Sequence, residues 1–446
     1  MTIQIDHKTI EALPDETLIE AAERNGIDIP RLCYAKDAVH KSSCMVCVVK
    51  DLRNGQIIPS CTTFPIEGMQ VDSSSDEIRS LRRSALELLL SEHRADCEAP
   101  CRVACPGSLD IAMMNRLVEA GREQEALTLL RDTLIIPATL CYICNAPCEK
   151  ICRRNQVDST VEVREIKKRL VQNETKVVPP AKATAKNKKI AVENSSPAGL
   201  AIGYELTRLG YDVTVMEPSD DFLLPYIEQG KTPIDTIAYE LKALEQSGLV
   251  LQKGIPNGNE FDAVIKIGTA AAADNLTFFT KTKQPARQIE EGRLFAAKVD
   301  ACLSNTQDVT KVKTFNSSFP KLTDKEVETY RKTDISNTKT NCLFCDCNSK
   351  NDCRLRDLAT DYQCKSNTYN RGTHRMVERF RINDAFYHEP AKCISCGLCV
   401  YNSSNGFTFS GRGFEMEVIL PEGNKKNISA AIAELCPTGA ISVENL

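Results

Sequence analysis

The sequence contains no tryptophan, and aromatic residues make up only 6% of it, so a recognition surface built on stacked rings is not expected. Histidines number five and form no nucleophile–base motif. The net charge of −4 carries no general attraction to nucleic acid or to an anionic membrane. Long apolar runs are missing too. Patches such as Leu86–Leu90 fall far short of the roughly 20 residues that span a bilayer. The start, MTIQIDHKTI, lacks a basic stretch followed by an apolar one, so no secretory signal is expected. The expectation is a soluble, cytoplasmic chain without direct membrane insertion. With 446 residues, 42% hydrophobic and 26% charged, it has room for three or four ordinary globular domains.

Cysteine is what the sequence has in excess: 21 residues, clustered at short spacings. In a reducing compartment such clustering points to metal rather than to disulfides. Cys33, Cys44, Cys47 and Cys61 are spaced C-x10-C-x2-C-x13-C. Four thiolates on such a loop can hold two irons and two sulfides; a zinc site is the alternative. His93 then precedes Cys97, Cys101 and Cys105, and after 35 residues come Cys141, Cys144, Cys148 and Cys152. These seven cysteines flank a helical hairpin read at Ile111–Ala120 and Arg122–Thr133, broken at Gly121, which can fold the two sets together. They suit two four-iron clusters if one takes a non-cysteine ligand. Cys342, Cys345, Cys347 and Cys353 lie within twelve residues and are read as one [4Fe–4S] site, with zinc as the alternative. Cys393, Cys396 and Cys399, spaced C-x2-C-x2-C, take the distant Cys436-Pro437 as their fourth partner, a single [4Fe–4S] cluster. Cys364 is left as a spare thiol and Cys302 as a buried apolar one.

Between these sets, Thr2–Asp6 alternates as a strand and Glu16–Asn25 has helical periodicity ending at Gly26. Ile78–Leu90 is a helix. Residues 174–188, rich in Pro, Ala and Lys, read as a linker. Lys189–Val192, Ala198–Leu209 and Asp212–Met216 make a βαβ start. Past about 320 the chain is polar and cysteine-rich, apart from a strand-like stretch at Phe407–Leu420.

Three resemblances rest on these motifs. Residues 1–93, with Ile29-Pro30-Arg31-Leu32-Cys33-Tyr34, Glu67-Gly68-Met69 and the helix before His93, resemble the β-grasp ferredoxin domain of the large iron–sulfur subunit of NADH:quinone oxidoreductase. Ser43 departs from it, standing where that family usually has Gly. Residues 94–170 resemble the N-terminal cluster domain of the glutamate synthase small subunit and of dihydropyrimidine dehydrogenase, through PCRVACP at 100–106 and APCEKIC at 146–152. Carried over, this resemblance puts Cys101, Cys152 and Cys97 on one cluster and Cys105, Cys144 and Cys148 on the other. It leaves the fourth ligands open, with Cys141 or His93 as candidates, because Ile166-Lys167-Lys168 stands where some relatives have an acid or amide. Arg354-Leu355-Arg356 is similar to a stretch of fused flavin and iron–sulfur oxidoreductases.

Lys189-Ile190-Ala191-Val192 followed by Glu193–Gly199 resembles the flavin-binding Rossmann start of the glutamate synthase family, whose turn reads G-x-G-x-x-G. Asn194 and Ser196 replace the first two glycines; only Gly199 remains, with Glu217 as the residue that would hold a ribose hydroxyl. Glu193 adds a carboxylate close to where phosphate would lie. Phe261–Gly268 resembles the strand that precedes the family's nicotinamide domain, and Glu291–Asp300 its final helix, with no second glycine fingerprint between.

The resemblance implies an α+β multidomain chain. Residues 1–77 form a [2Fe–2S] β-grasp ferredoxin domain, 78–173 a helical double [4Fe–4S] domain, 174–188 a linker, 189–318 a truncated, degenerate FAD-type Rossmann domain, and 319–446 a ferredoxin-like C-terminal region with two [4Fe–4S] sites. One [2Fe–2S] and four [4Fe–4S] clusters are expected, the lost glycines argue against FAD, and NAD(P) is not expected. With no catalytic residues assigned, the chain reads as an electron-transfer subunit. Its expected partners are a catalytic oxidoreductase of formate, aldehyde or hydrogenase type and a second redox protein or flavoprotein. The alternative is an FAD-containing, NAD(P)H-linked subunit like the glutamate synthase small subunit, with Gly199 and Glu217 on the flavin.

Overall fold

The computed structural model describes all residues other than 95, 220, 224, 225, 227–229, 269–275, 307–313, 320, 333–337, 348–352, 370–379, 384, 405, 422, 424–427, 444–446 and the side chain of 414. Helices and sheets are mixed, and the chain divides into two compact units. The first is Met1–Glu98, Lys311–Lys321 and Asp346–Leu446; the second is Ala99–Thr310 and Leu322–Cys345.

The first unit opens on a hairpin, Thr2–Ile5 against Lys8–Glu11, turned through Asp6 and His7, both at positive φ. Alternation puts Ile3 and Ile5 on one face. Thr2–Ile5 also pairs in parallel with Gln70–Asp72, which is antiparallel to Val48–Asp51, itself paired with Gln56–Pro59. The helix Leu18–Arg24 starts at a Thr17–Glu20 capping box and lays Leu18, Ile19, Ala21 and Ala22 onto Ile3, Ile5, Val49 and Val71. Gly26, at φ +71°, takes the left-handed position that ends it. Each large aliphatic side chain buried there is worth roughly 1.5–3 kcal/mol. The helix Asp76–Glu92 buries Ile78, Arg82, Leu86 and Leu90 on one stripe, and Arg82 donates to the Val48 carbonyl at 2.8 and 3.1 Å, fixing helix to sheet. The helix Arg354–Asp361 packs on it, with Arg82 also donating to the Tyr362 hydroxyl at 3.2 Å. The stretch expected as strand at 407–420 is two short antiparallel strands, Thr408–Ser410 and Glu417–Ile419. A further small sheet joins Phe380–Arg381, Phe386–His388 and Ile441–Val443.

The second unit carries the helical hairpin, Ile111–Glu119 and Glu123–Leu134, reversed at Gly121 with φ +73°. Beside it runs a five-stranded parallel sheet ordered Thr277–Phe279, Ala263–Gly268, Lys189–Glu193, Asp212–Glu217, Val250–Lys253. The helix Pro197–Arg208 lies on this sheet and Pro285–Leu303 lies on that helix. Contact is close because Gly292 has no side chain: a Cβ there would stand 2.8 Å from the Ala198 carbonyl oxygen. Cys302 corrects the expectation of a buried thiol. It is exposed, since the stripe Ile289, Gly292, Ala296, Val299 continues through Leu303 and leaves Cys302 off it. No helix was expected at Ile234–Gln246 or Asp324–Lys332, whereas Arg354–Asp361 is the helix expected before Cys364. Among the described residues no single helix is long and apolar enough to cross a membrane; one bent pair, Glu123–Leu134 with Pro137–Ile143, passes by length and composition, and both helices lie in the core of the second unit.

Candidate metal centres

In the first unit Cys33, Cys44, Cys47 and Cys61 are all buried, each 6% exposed or less. The Cys33 thiol is held well below its ordinary range by hydrogen bonds from Cys44 and Cys61, while the same contacts push Cys61 and Cys44 up. Cys47 is lowered to about 6, first by its hydrogen bond with Cys61. Four thiols in mutual hydrogen-bond reach, dry, on one loop and one strand end are a donor set that fits a thiolate-bound cluster. Ser43 needs no glycine conformation here. The left-handed residue is Met45, at φ +55°, and Ser43 donates its backbone N–H toward the Cys33 sulfur at 3.5 Å. His40 holds the Cys61 carbonyl at 2.9 Å.

Cys393, Cys396, Cys399 and Cys436 line one cavity with His388, Val418 and Thr438. Burial pushes the Cys399 thiol up, and the nearby Cys436, Cys393 and Cys396 add to it. The turn before the helix Leu398–Tyr401 needs Gly397: its φ is +78°, and a Cβ would meet the Tyr401 and Phe409 rings at 2.5 and 3.1 Å. His93 caps the helix Asp76–Glu92, hydrogen-bonds the backbone at Lys392, next to Cys393, and is lowered to about 4 by burial, so it is neutral. Its Nδ1 has no hydrogen-bond partner among the described residues.

Cys97 is also in the first unit. It accepts the Ser317 N–H at 3.3 Å, and burial raises its thiol, with the nearby Cys347 adding to it. Cys353, raised to about 12 by burial, has Cys347 and Cys97 as its thiol neighbours. Cys364, buried in the same side-chain cluster as Cys33 and Cys44, has Glu87 and Arg83 as its charged neighbours.

In the second unit burial raises Cys101, with Cys342, Cys345, Cys148 and Cys152 as its electrostatic neighbours. Cys148 is raised to about 12 by burial, with Lys167 opposing and Cys105 and Cys144 adding. Cys141, buried on the helix Pro137–Ile143 and raised to about 11 chiefly by burial, has Cys144 beside it. Among the described residues no three His, Cys, Asp or Glu groups close on one point as a lone metal ion requires.

The βαβ turn is closed on itself. Asn194 sits at φ +67°, its side-chain oxygen accepts the Ser196 N–H at 3.0 Å, and Ser196 Oγ accepts the Gly199 N–H at 3.2 Å as the helix N-cap. Gly199 passes so near the Asn194 carbonyl that a Cβ would collide with it. Glu217 faces the same turn.

Comparisons with known proteins follow this layout. Residues 1–76 match the model of the 2Fe-2S iron-sulfur cluster binding domain. Residues 89–178 match dihydropyrimidine dehydrogenase domain II, a 4Fe-4S cluster domain, and residues 387–443 a 4Fe-4S single cluster domain. The beta subunit of an NADPH-Fe(3+) oxidoreductase from Geobacter sulfurreducens is 35% identical over 122 residues, 27% of this chain and 18% of that one. The beta subunit of an NADP(+)-dependent formate dehydrogenase from Moorella thermoacetica is 28% identical over 34% of this chain and 26% of its own. The small chain of a glutamate synthase [NADPH] from Mycobacterium tuberculosis is 30% identical over 47% of this chain and 44% of its own. The chain thus spans less than half the length of these relatives. By its matched domains it is a fused iron–sulfur chain, joining one 2Fe-2S and two 4Fe-4S cluster-binding domains of the kinds found in oxidoreductase subunits.

Proposed function

We propose that the chain is an iron–sulfur relay subunit of a multisubunit oxidoreductase, carrying single electrons between a catalytic partner of formate, aldehyde or hydrogenase type and a second redox protein or flavoprotein. The observation that supports this most is the shared core of the first unit. Cys33 and Cys44 pack there with Leu32, Val46, Leu86 and Leu90, and Cys353 and Cys396 lie against the same cluster of side chains. Thiols from separate ligand sets in one dry core are what a relay needs and what an isolated structural metal site does not. Bound iron–sulfur clusters supply reversible one-electron exchange.

The chain's own residues place the thiols, exclude water and offer N–H groups to sulfur. Such donors come from Ser43 to Cys33 at 3.5 Å, Ala146 to Cys144 at 3.3 Å, Ser317 to Cys97 at 3.3 Å, Phe344 to Cys342 at 3.4 Å and Ser395 to Cys393 at 3.3 Å. Hydrogen bonds to ligand sulfur favour the reduced form and raise the potential. The full reading is one [2Fe–2S] and four [4Fe–4S] clusters. Its domains are a β-grasp ferredoxin domain at 1–77, a helical double-cluster domain at 78–173, a linker at 174–188, a truncated Rossmann-like domain at 189–318 and a ferredoxin-like region at 319–446. The self-closed turn at Asn194–Gly199 supports a flavin domain kept as structure without its ligand, and NAD(P) is not part of this reading.

The test is the chain purified without oxygen, with iron and acid-released flavin assayed together and NAD(P)H added. Cluster iron with flavin far below one equivalent, no reduction by NAD(P)H alone, and reduction by a co-purifying subunit are expected. A full equivalent of flavin with reduction by NADPH would put the FAD-containing reading first. A lone chain turning over a substrate of its own would overturn the relay.

A further inference from the structure

The run Cys342–Cys353 reads along the chain as one ligand set, but its thiols keep different company. Cys342 and Cys345 line a cavity of the second unit together with Cys101, Cys148 and Cys152. Cys347 and Cys353 have Cys97 as their thiol neighbour in the first unit.

The placement of Cys342 is pinned from one helix, Ile111–Glu119, by two holds. Glu119, at its end, accepts the backbone N–H groups of Lys339 at 2.9 Å and Thr340 at 2.7 Å. The Arg116 guanidinium stands over the Phe344 ring, 5.1 Å from its centroid. Between them Asn115, fully buried, lines the same cavity. Its amide faces the Cys342 thiol, and neither its nitrogen nor its oxygen makes a formed hydrogen bond among the described residues. A buried amide left this way is unfavourable, and a cluster sulfur as acceptor would offset that. The cavity is also lined by Cys101, Cys152 and the apolar Ile111, Ala112, Val161 and Val163.

We infer that Cys342 and Cys345 complete a [4Fe–4S] ligand set with Cys101 and Cys152, and that Asn115 donates a hydrogen bond to this centre. Four thiols suffice without a non-cysteine ligand. Cys148, the remaining thiol of the cavity, is left to the set it forms with Cys105, Cys144 and Cys141. The inference rests on the relay reading for the presence of clusters, and goes beyond it in dividing the four-cysteine run between two centres.

Thiol protection tests it on the full chain, assembled with clusters and kept free of oxygen. The chain is alkylated and mapped by peptide mass, with the iron-stripped chain as reference. Cys101→Ala is expected to unprotect Cys152, Cys342 and Cys345 together, to leave Cys347 and Cys353 protected, and to remove roughly four irons. Cys353→Ala is expected to unprotect Cys347 and Cys97 and leave Cys342 and Cys345 protected. If Cys353→Ala instead unprotects Cys342 and Cys345 while Cys101 and Cys152 stay protected, the run is one ligand set and the inference is overturned. Asn115→Leu keeps every thiol. It is expected to hold its full iron content and to lower the midpoint potential of one reduced-state EPR signal, the one lost in Cys101→Ala; a shift in another signal, or none, overturns the role of Asn115. A wild-type chain without cluster iron overturns the relay reading itself, and this ligand set with it.

Discussion

The Glu217 carboxylate accepts both hydrogen bonds that Ser195 can donate, from its backbone N–H at 2.7 Å and from its hydroxyl at 2.6 Å. Its other oxygen accepts from the Ser219 N–H at 3.1 Å and hydroxyl at 2.8 Å. Burial works against the charged form, and these bonds outweigh it, holding the carboxyl below its ordinary value. The strand-end acid that would hold a ribose is committed to the chain's own loops.

Glu217→Ala is therefore expected to act as a stability variant. It strands the donors of Ser195 and Ser219 at a cost of about 1–3 kcal/mol. Hydrogen exchange should rise across 194–200, and flavin content should stay at its low wild-type level. A wild-type chain whose bound flavin is lost in this variant would show that Glu217 serves a ligand instead.

Cys61→Ser acts on the most buried thiol of its set, at 0% exposure, on which both Cys33 and Cys47 depend. The expected outcome is loss of roughly two irons and of the [2Fe–2S] EPR signal, with the [4Fe–4S] signals retained. Iron loss in multiples of four would place Cys61 elsewhere.

Gly292→Ala puts a methyl group against the Ala198 backbone, 2.8 Å from its carbonyl oxygen and 3.3 Å from its Cα. Backbone cannot swing aside as a side chain can, so overpacking of about 1–3 kcal/mol and a lower melting temperature are expected. An unchanged melting temperature would mean that the two helices are free to separate.

Glu240 is fully buried. Burial raises it from 4.5 to about 8, against the opposing charge of Arg131 at 3.4 Å. Arg131 also serves Glu174, so its charge is shared. Between pH 4.5 and about 8 the folded chain holds a proton that the unfolded chain has released, so stability falls as pH rises through that window. Glu240→Gln is expected to flatten this fall, read as the difference in melting temperature between pH 5 and pH 8. The same slope in variant and wild type would assign it to other groups.

What the sequence determined by itself was local. Thiol spacing within a loop marked Cys33–Cys61 and the Cys393–Cys399 run, because a few residues of chain can only converge on something small. Alternation and helical period marked Thr2–Asp6, Ile78–Leu90, the hairpin about Gly121 and the βαβ start, because each buries one face against its own neighbours. The loss of glycine at Asn194 and Ser196 pointed to a turn that no longer cradles phosphate. Tertiary structure decided what distance along the chain hides. Cys342 keeps company with Cys101, more than two hundred residues before it, because Arg116 and Glu119 of one helix hold its loop. His93 falls beside Cys393 for a similar reason: the helix it caps packs in the first unit and delivers it to Lys392. Cys302 is exposed because its helix turns Val299 and then Leu303, and not Cys302, toward the core.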